Sequence, residues 1–211
     1  MEPGEDTAQE TTASLRQRKK WATRHAIGAA ALRLALERGL DGLLVSDIAA
    51  EANVSPRTFN NYFSSKYEAI CSTGLDRSRQ VGDELRRRPL HEPLWEALVN
   101  ALLSHYDVND VAPTKGSVTA LWLLMSSPAI QSEYLKVNAT MQHILAEAIA
   151  DRVGLNVERD MFPMILAGAV TATSQVALQR WFEADPPTRI RPLLRKALGQ
   201  LATACSSQAA A

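Results

Sequence analysis

Apolar residues recur along most of this 211-residue chain at three- and four-residue spacing, and no alternating run of the kind a half-buried strand needs interrupts them. Ala22, Ala26, Ile27, Ala30, Ala31 and Leu34 mark one face of a helix from about Leu15 to Arg38, and Gly39 supplies its C-terminal stop. Ser46 is expected to cap a short helix through Ala52. Ser55 caps another, with Pro56 at the first helical position, where a missing N–H costs nothing. Ser64 or Ser65 opens a fourth helix reaching about Arg88. Leu94, Trp95, Leu98, Val99, Leu102 and Leu103 then stripe a helix ending near Tyr106, and residues 107–115 form a loop. Val118 to Met125 makes a short apolar helix that stops at Pro128. Ile130, Tyr134, Val137, Met141, Ile144, Leu145, Ala148 and Ile149 mark a long amphipathic one. An uncharged helix spans about Glu158 to Glu183, Asp185-Pro186-Pro187 breaks it, and Ile190, Leu193, Leu194, Ala197, Leu198 and Leu201 stripe the last. The pattern predicts an all-α protein of about nine helices without an internal repeat.

Charge divides the chain in three. Residues 1–14 carry four acids and no base, without apolar periodicity, and are expected to form a disordered acidic tail. Residues 15–72 carry nine Lys/Arg against five Asp/Glu, whereas residues 73–211 carry fourteen of each. A basic first third beside a neutral remainder suits a small DNA-contacting module, residues 15–72, joined to a second helical domain, residues 73–211. Cys71 and Cys205 stand far apart with no CxxC pattern, which reads as two thiols of a reducing compartment. The N-terminus lacks the apolar core of a secretory signal, and the uncharged run 161–179 contains Pro163, Thr171, Thr173, Ser174 and Gln175, so it reads as a buried helix and not a membrane span. The expected location is cytoplasmic.

The chemistry concentrates between Val45 and Phe63, VSDIAAEANVSPRTFNNYF. Ile48 and Ala52 share one face of the first short helix, and small Ala49 suits the point where two helices cross. Asn53 occupies the turn, where a positive φ is usual and Asn tolerates it. Phe59 and Phe63 anchor the second helix from one face by their i, i+4 spacing. Arg57, Thr58, Asn60, Asn61 and Tyr62 are left on its other faces. A merely solvated helix would favour Glu, Lys and Ala there. Arg can bond guanine, Asn adenine, and Thr can touch a thymine methyl. Tyr62, Lys66 and Arg24 suit phosphate contacts, as do Ser46 and Ser55 at helix starts and the backbone N–H groups of Ser64 and Ser65. Together these form a helix-turn-helix for double-stranded DNA. The basic run at 16–20, RQRKK, is a further candidate arm for phosphates or the minor groove.

Residues 21–70 also resemble the N-terminal domain of TetR-family transcriptional regulators. The opening from Thr23-Arg24 through Glu37-Arg38-Gly39, then VSDIA-EA-VS, then TF-x-x-YF-SK carry the likeness. Leu43 and Leu44 stand where the family often has Thr, and Asn60 where Tyr is frequent. The resemblance implies a C-terminal helical effector-binding domain and a homodimer built by the last two long helices. Small Ala167, Gly168, Ala169 and Ala172 would let helices approach closely, and Phe162, Ile165, Val176, Trp181, Leu194 and Leu198 would add apolar interface area. Trp95, Trp122, Met125, Met141 and Met164, with His143, are the candidates for an apolar effector cavity.

The expected function is therefore a ligand-responsive regulator, a repressor that binds a near-palindromic operator as a dimer and is released by a small apolar effector. A helical small-molecule carrier and an activator of the same fold are the alternatives, with a DNA-processing enzyme a more remote one. The four histidines sit in no HExxH, and no GxGxxG, P-loop or GxSxG sequence occurs, so no catalytic residues, metal or cofactor are expected.

Overall fold

A computed structural model describes residues 5–106 and 113–207, and among them lie nine helices and no strand: α1 (Glu5–Arg38), α2 (Val45–Glu51), α3 (Pro56–Tyr62), α4 (Lys66–Arg87), α5 (Leu94–Leu103), α6 (Lys115–Ser126), α7 (Pro128–Val153), α8 (Met161–Phe182) and α9 (Ile190–Ser207). Most of the loop expected at 107–115 falls outside the described residues, as do residues 1–4. The rest of the presumed disordered tail, residues 5–14, belongs to α1. Acidic residues are favoured in a helix's first turns because they face the positive end of its dipole. The chain divides into two compact units, one ending at Thr73 and one starting at Gly74.

In the first unit α1 buries Ile27, Ala31, Leu34 and Ala35 and ends as expected at Gly39, whose φ of 76° only glycine adopts without cost. Gly28 is needed for a different reason. A Cβ there would lie 2.5 Å from the Ser72 hydroxyl and 3.2 Å from the Ala69 carbonyl, so only hydrogen fits between α1 and the start of α4. The start of α2 departs from the expected Ser46 cap. Leu44 is the N-cap residue, and the Asp47 carboxylate accepts its backbone N–H at 3.2 Å. Ser46 is one turn-position inside the helix and exposed. Ile48 and Ala49 are fully buried, Asn53 takes the turn with φ 52°, and Val54 N–H closes it onto the Ala49 carbonyl at 2.9 Å.

The second unit has one principal core. Val81 and Leu85 of α4 meet Leu98 of α5, Leu145 and Ile149 of α7, and Val170 of α8. A satellite core of Leu103, Ala177 and Leu194 joins α5, α8 and α9. Arg152 on α7 fastens the corner between α4 and α5. Its guanidinium donates to the carbonyls of Leu85, Arg88, Pro89 and Glu92 at 3.3, 3.0, 2.6 and 2.8 Å, bridging the last turn of α4 and the loop that leads to α5. Arg88 grips Glu92 through two bonds of 2.6 and 2.7 Å. These bonds, with a further one from Asn100, hold the Glu92 carboxyl below its ordinary range. α8 is long and apolar enough, by length and composition, to cross a bilayer, yet it packs along α7 and α9. Contrary to the expectation of a buried helix, only one flank is covered. The reason is that its uncharged sequence serves two faces, one inward and one outward.

Candidate nucleic-acid interface

The α2–α3 pair carries the exposed polar chemistry. Ser55 caps α3 by accepting the Thr58 N–H at 3.1 Å, and Pro56 follows at the first helical position. Phe59 is wholly inaccessible and Phe63 nearly so, with ring centroids 5.8 Å apart. Because these two rings fix the rotation of a two-turn helix, Arg57, Asn60 and Asn61 stand exposed and Tyr62 half-exposed. None of the three exposed side chains has an ion pair or hydrogen bond among the described contacts. The Thr58 hydroxyl is different: it lies 2.9 Å from the Ser55 hydroxyl, so its methyl is the group left for an outside partner.

Three expected phosphate contacts turn out to be committed inside the unit. Arg24 donates to the Tyr62 carbonyl at 2.8 Å, lies 4.2 Å above the Phe63 ring and faces Glu68 at 3.8 Å. It clamps the end of α3 to α1. Lys66 donates to the carbonyls of Leu40 and Leu43 at 2.7 and 2.9 Å, which spends two of its three protons on the α1–α2 loop. The seat expected at Ser64 and Ser65 is filled as well. The Glu68 carboxylate accepts both the N–H and the hydroxyl of Ser64, at 2.7 and 2.8 Å, while Ser65 caps Glu68 N–H at 3.1 Å. Ser65 and Glu68 have the Ser-x-x-Glu spacing of a capping box, but the Glu68 carboxylate reaches the N–H of Ser64 and not that of Ser65. Positioning of α3 thus rests on Arg24, Lys66 and Glu68, and the outward set is Ser46, Arg57, Asn60 and Asn61.

The residues expected around an effector do not share one environment. Trp95 packs against the principal core, and Met141 lies against Gly74 of α4, its sulfur 3.5 Å from where a Cβ would stand. Trp122 is half-exposed and Met125 partly buried on α6. His143 is a correction: it is exposed and sits 3.4 Å from Glu147 one turn on. Met164 is another. It lines an open depression of about 290 Å³ on the surface with Val157, Met161 and Ile165. Two atoms that sequence alone could not single out are His105 Nε2 and Asn138 Oδ1, both buried without a hydrogen-bond partner among the described residues.

On α8 the outward flank follows Phe162, Ile165, Ala169, Ala172 and Val176, a three–four alternation like that of a coiled-coil seam. Ile165 is 63% exposed, and Phe162 and Val176 about half. Trp181, Leu194 and Leu198 do not belong to this surface. Trp181 falls about 100° round the helix from Phe162 and is buried, with its Nε1–H donated to the Thr188 carbonyl at 2.7 Å. Leu194 and Leu198 fill the satellite and principal cores. The exposed side of α9 instead offers Gly199, with open space around its Cα.

Comparison with known proteins agrees with this layout. Residues 27–68 match the profile of bacterial regulatory proteins of the tetR family, and residues 92–206 match the MftR C-terminal domain. The chain is 29% identical over 175 residues to the HTH-type transcriptional regulator TcmR of Streptomyces glaucescens, covering 80% of this chain and 76% of that protein. Among solved structures, a TetR-family transcriptional regulator from Streptomyces coelicolor superposes with a TM-score of 0.51 at 17% identity, over 84% of this chain and 98% of the other. The fatty acid degradation regulator FadR from Bacillus halodurans gives 0.52 at 18% identity, over 85% and 94%. With one profile covering the two-helix reading motif and another more than half of the chain, the protein belongs to the TetR family of transcriptional regulators.

Proposed function

We propose that the protein is a dimeric, ligand-released repressor that reads a near-palindromic operator through α3. The observation that carries this reading is the division of labour on α3. Phe59 and Phe63 are sunk in the core, while Arg57, Asn60 and Asn61 are exposed and uncommitted. These side chains have the donor and acceptor patterns that discriminate base edges in the major groove. Two protomers joined along the outward flanks of α8 and α9 would present two such helices, and a two-fold operator asks for them about 34–36 Å apart. The apolar seam Phe162–Ile165–Ala169–Val176 and the small residues Gly168 and Gly199 support that mode of pairing. A partner on this flank would also cover the depression beside Met164. Such a protein works in the cytoplasm, where its DNA is.

The effector is proposed to be a small, mainly apolar molecule held in the second unit. Trp95, Met125 and Met141 supply adaptable apolar surface. His105 Nε2 and Asn138 Oδ1, buried without a hydrogen-bond partner among the described residues, would meet a polar group on it, since a buried polar atom without a partner is costly. Effector and operator must then weaken each other's binding by the same factor.

The testing experiment is selection of genomic fragments by the purified protein, followed by affinity measurement on the enriched duplex. There Arg57→Ala will lose about 1–3 kcal/mol, roughly 5- to 150-fold, and will relax sequence preference at one step of each half-site. Unchanged affinity and preference would remove Arg57 from the reading set.

A further inference from the structure

Two helices of the second unit lead away from the Arg152 corner, α5 forward from Pro93 and α7 backward from Arg152, and Leu98 and Leu145 meet between them in the principal core. The turn after α5 and the first half of α7 thus lie beyond that core, at the end remote from the corner. His105 stands in this turn, seven and four residues after the buried Leu98 and Ala101 and on their side. Asn138 stands about 10 Å ahead of Leu145 on the stripe that Leu145 and Ile149 define. His105 Nε2 and Asn138 Oδ1 are the two buried atoms that lack a hydrogen-bond partner at this end among the described residues. α8 adds a third polar group, for Ser174 interrupts its inward stripe between Val170 and Ala177. A bond of 3.1 Å from Gln175 Nε2 to the Tyr134 hydroxyl fastens this level of α8 to the first half of α7. The α7 stripe is less covered here as well: Leu145 and Ile149 are buried, whereas Tyr134, Asn138 and Met141 are only partly so.

The chemistry of these groups selects what can join them. Asn138 Oδ1 is an acceptor, and the Ser174 hydroxyl donates to the Val170 carbonyl at 2.8 Å, so it can only accept from anything else. A carboxylate or phosphate would face these acceptors with no cation on the inward stripes of α5, α7 and α8, which carry neither acid nor base. An ammonium would find no counter-ion there. Asp76, buried with an unpartnered Oδ2 of its own, does not supply one: it follows Gly74, which faces Met141, by two residues and so points about 200° round α4, away from α7. Arg77 is exposed, with its guanidinium 5.0 Å over the Tyr106 ring. We infer that this end of the second unit seats the effector's polar group, and that the group is a neutral hydroxyl, a phenol or an alcohol. It donates its hydrogen to Asn138 Oδ1 and accepts one from His105 Nε2, in the tautomer that carries the proton there. This rests on the reading of the protein as an effector-released regulator, and it narrows the effector from apolar molecules at large to those with a neutral donor.

The test measures binding to the full chain by calorimetry and release of an enriched duplex by anisotropy. Two frames, naphthalene and a dodecyl chain, each carry a hydroxyl, a methyl ether or a carboxylate. The probes are 2-naphthol, 2-methoxynaphthalene and 2-naphthoate, and dodecanol, its methyl ether and dodecanoate. In at least one frame the hydroxyl compound should bind about 10-fold or more tightly than the ether, with the carboxylate weaker still. Asn138→Leu replaces an unpartnered amide by an apolar group of similar volume, and His105→Phe keeps a ring without the N–H. Each should erase most of the hydroxyl's advantage and leave the ether's affinity within about 3-fold of the wild type. An ether or carboxylate that binds as tightly as the hydroxyl compound in both frames overturns the inference, as does an advantage that survives both substitutions. Failure of both hydroxyl compounds to bind overturns it too. Carboxylates that bind best and free the duplex would overturn it while leaving the ligand-released reading intact. Hydroxyl compounds that bind selectively yet free no duplex would uphold the site and overturn the proposed release.

Discussion

Phe59→Ala will destabilise the first unit by about 3–5 kcal/mol, the range for removing a wholly buried aromatic ring. Domains are stable by about 5–15 kcal/mol in all, so this one change removes a large share. The physical reason is local. α3 is only seven residues long, too short to persist unaided, and it is held by the two rings, the Ser55 cap and the Arg24 clamp. Without the first ring its rotation is no longer defined, and operator binding should fall with stability. Denaturant unfolding followed by circular dichroism measures the first effect, and anisotropy on an enriched duplex the second. Asn60→Ala and Asn61→Ala provide the contrast, since both are exposed and should leave stability within about 0.5 kcal/mol. A Phe59→Ala protein as stable as the asparagine variants would show that the ring is not the anchor.

Ile165→Glu will give a monomer by sedimentation and bind the enriched duplex at least about 100-fold more weakly, because two linked half-site contacts become one. Ile165 is 63% exposed in the isolated chain, more than Phe162 or Val176 of the same seam, so the carboxylate costs the lone subunit little. Across a symmetric interface it would face apolar surface. A dimer that survives this substitution would place the interface elsewhere. The buried Trp181 is the wrong position for this test, since its loss would damage the subunit itself.

Much of the reading motif was legible in the sequence because its determinants are local. Ser55, Pro56 and Asn53 act through neighbours within five residues, and Phe59 and Phe63 declare their face by spacing alone. The internal contacts of Arg24 and Lys66 were not legible for the opposite reason. Their partners, the carbonyls of Tyr62, Leu40 and Leu43, are distant in sequence and are backbone atoms that no side-chain pattern announces. The rotation of α8 was illegible because an apolar run without charges marks no outward side. Its heptad-like seam became visible only once Ala167, Val170 and Ala177 were seen to face inward. A site for the effector was hardest of all, since scattered tryptophans and methionines fill cores as readily as they line cavities.

The grip of Arg152 on the α4–α5 corner has a mechanical consequence. A single planar cation serves four acceptors, two through each terminal nitrogen, so a displacement of α7 beyond the reach of the Arg152 stem strains all four bonds together. The placement of α7 is thereby coupled to the integrity of the corner between α4 and α5.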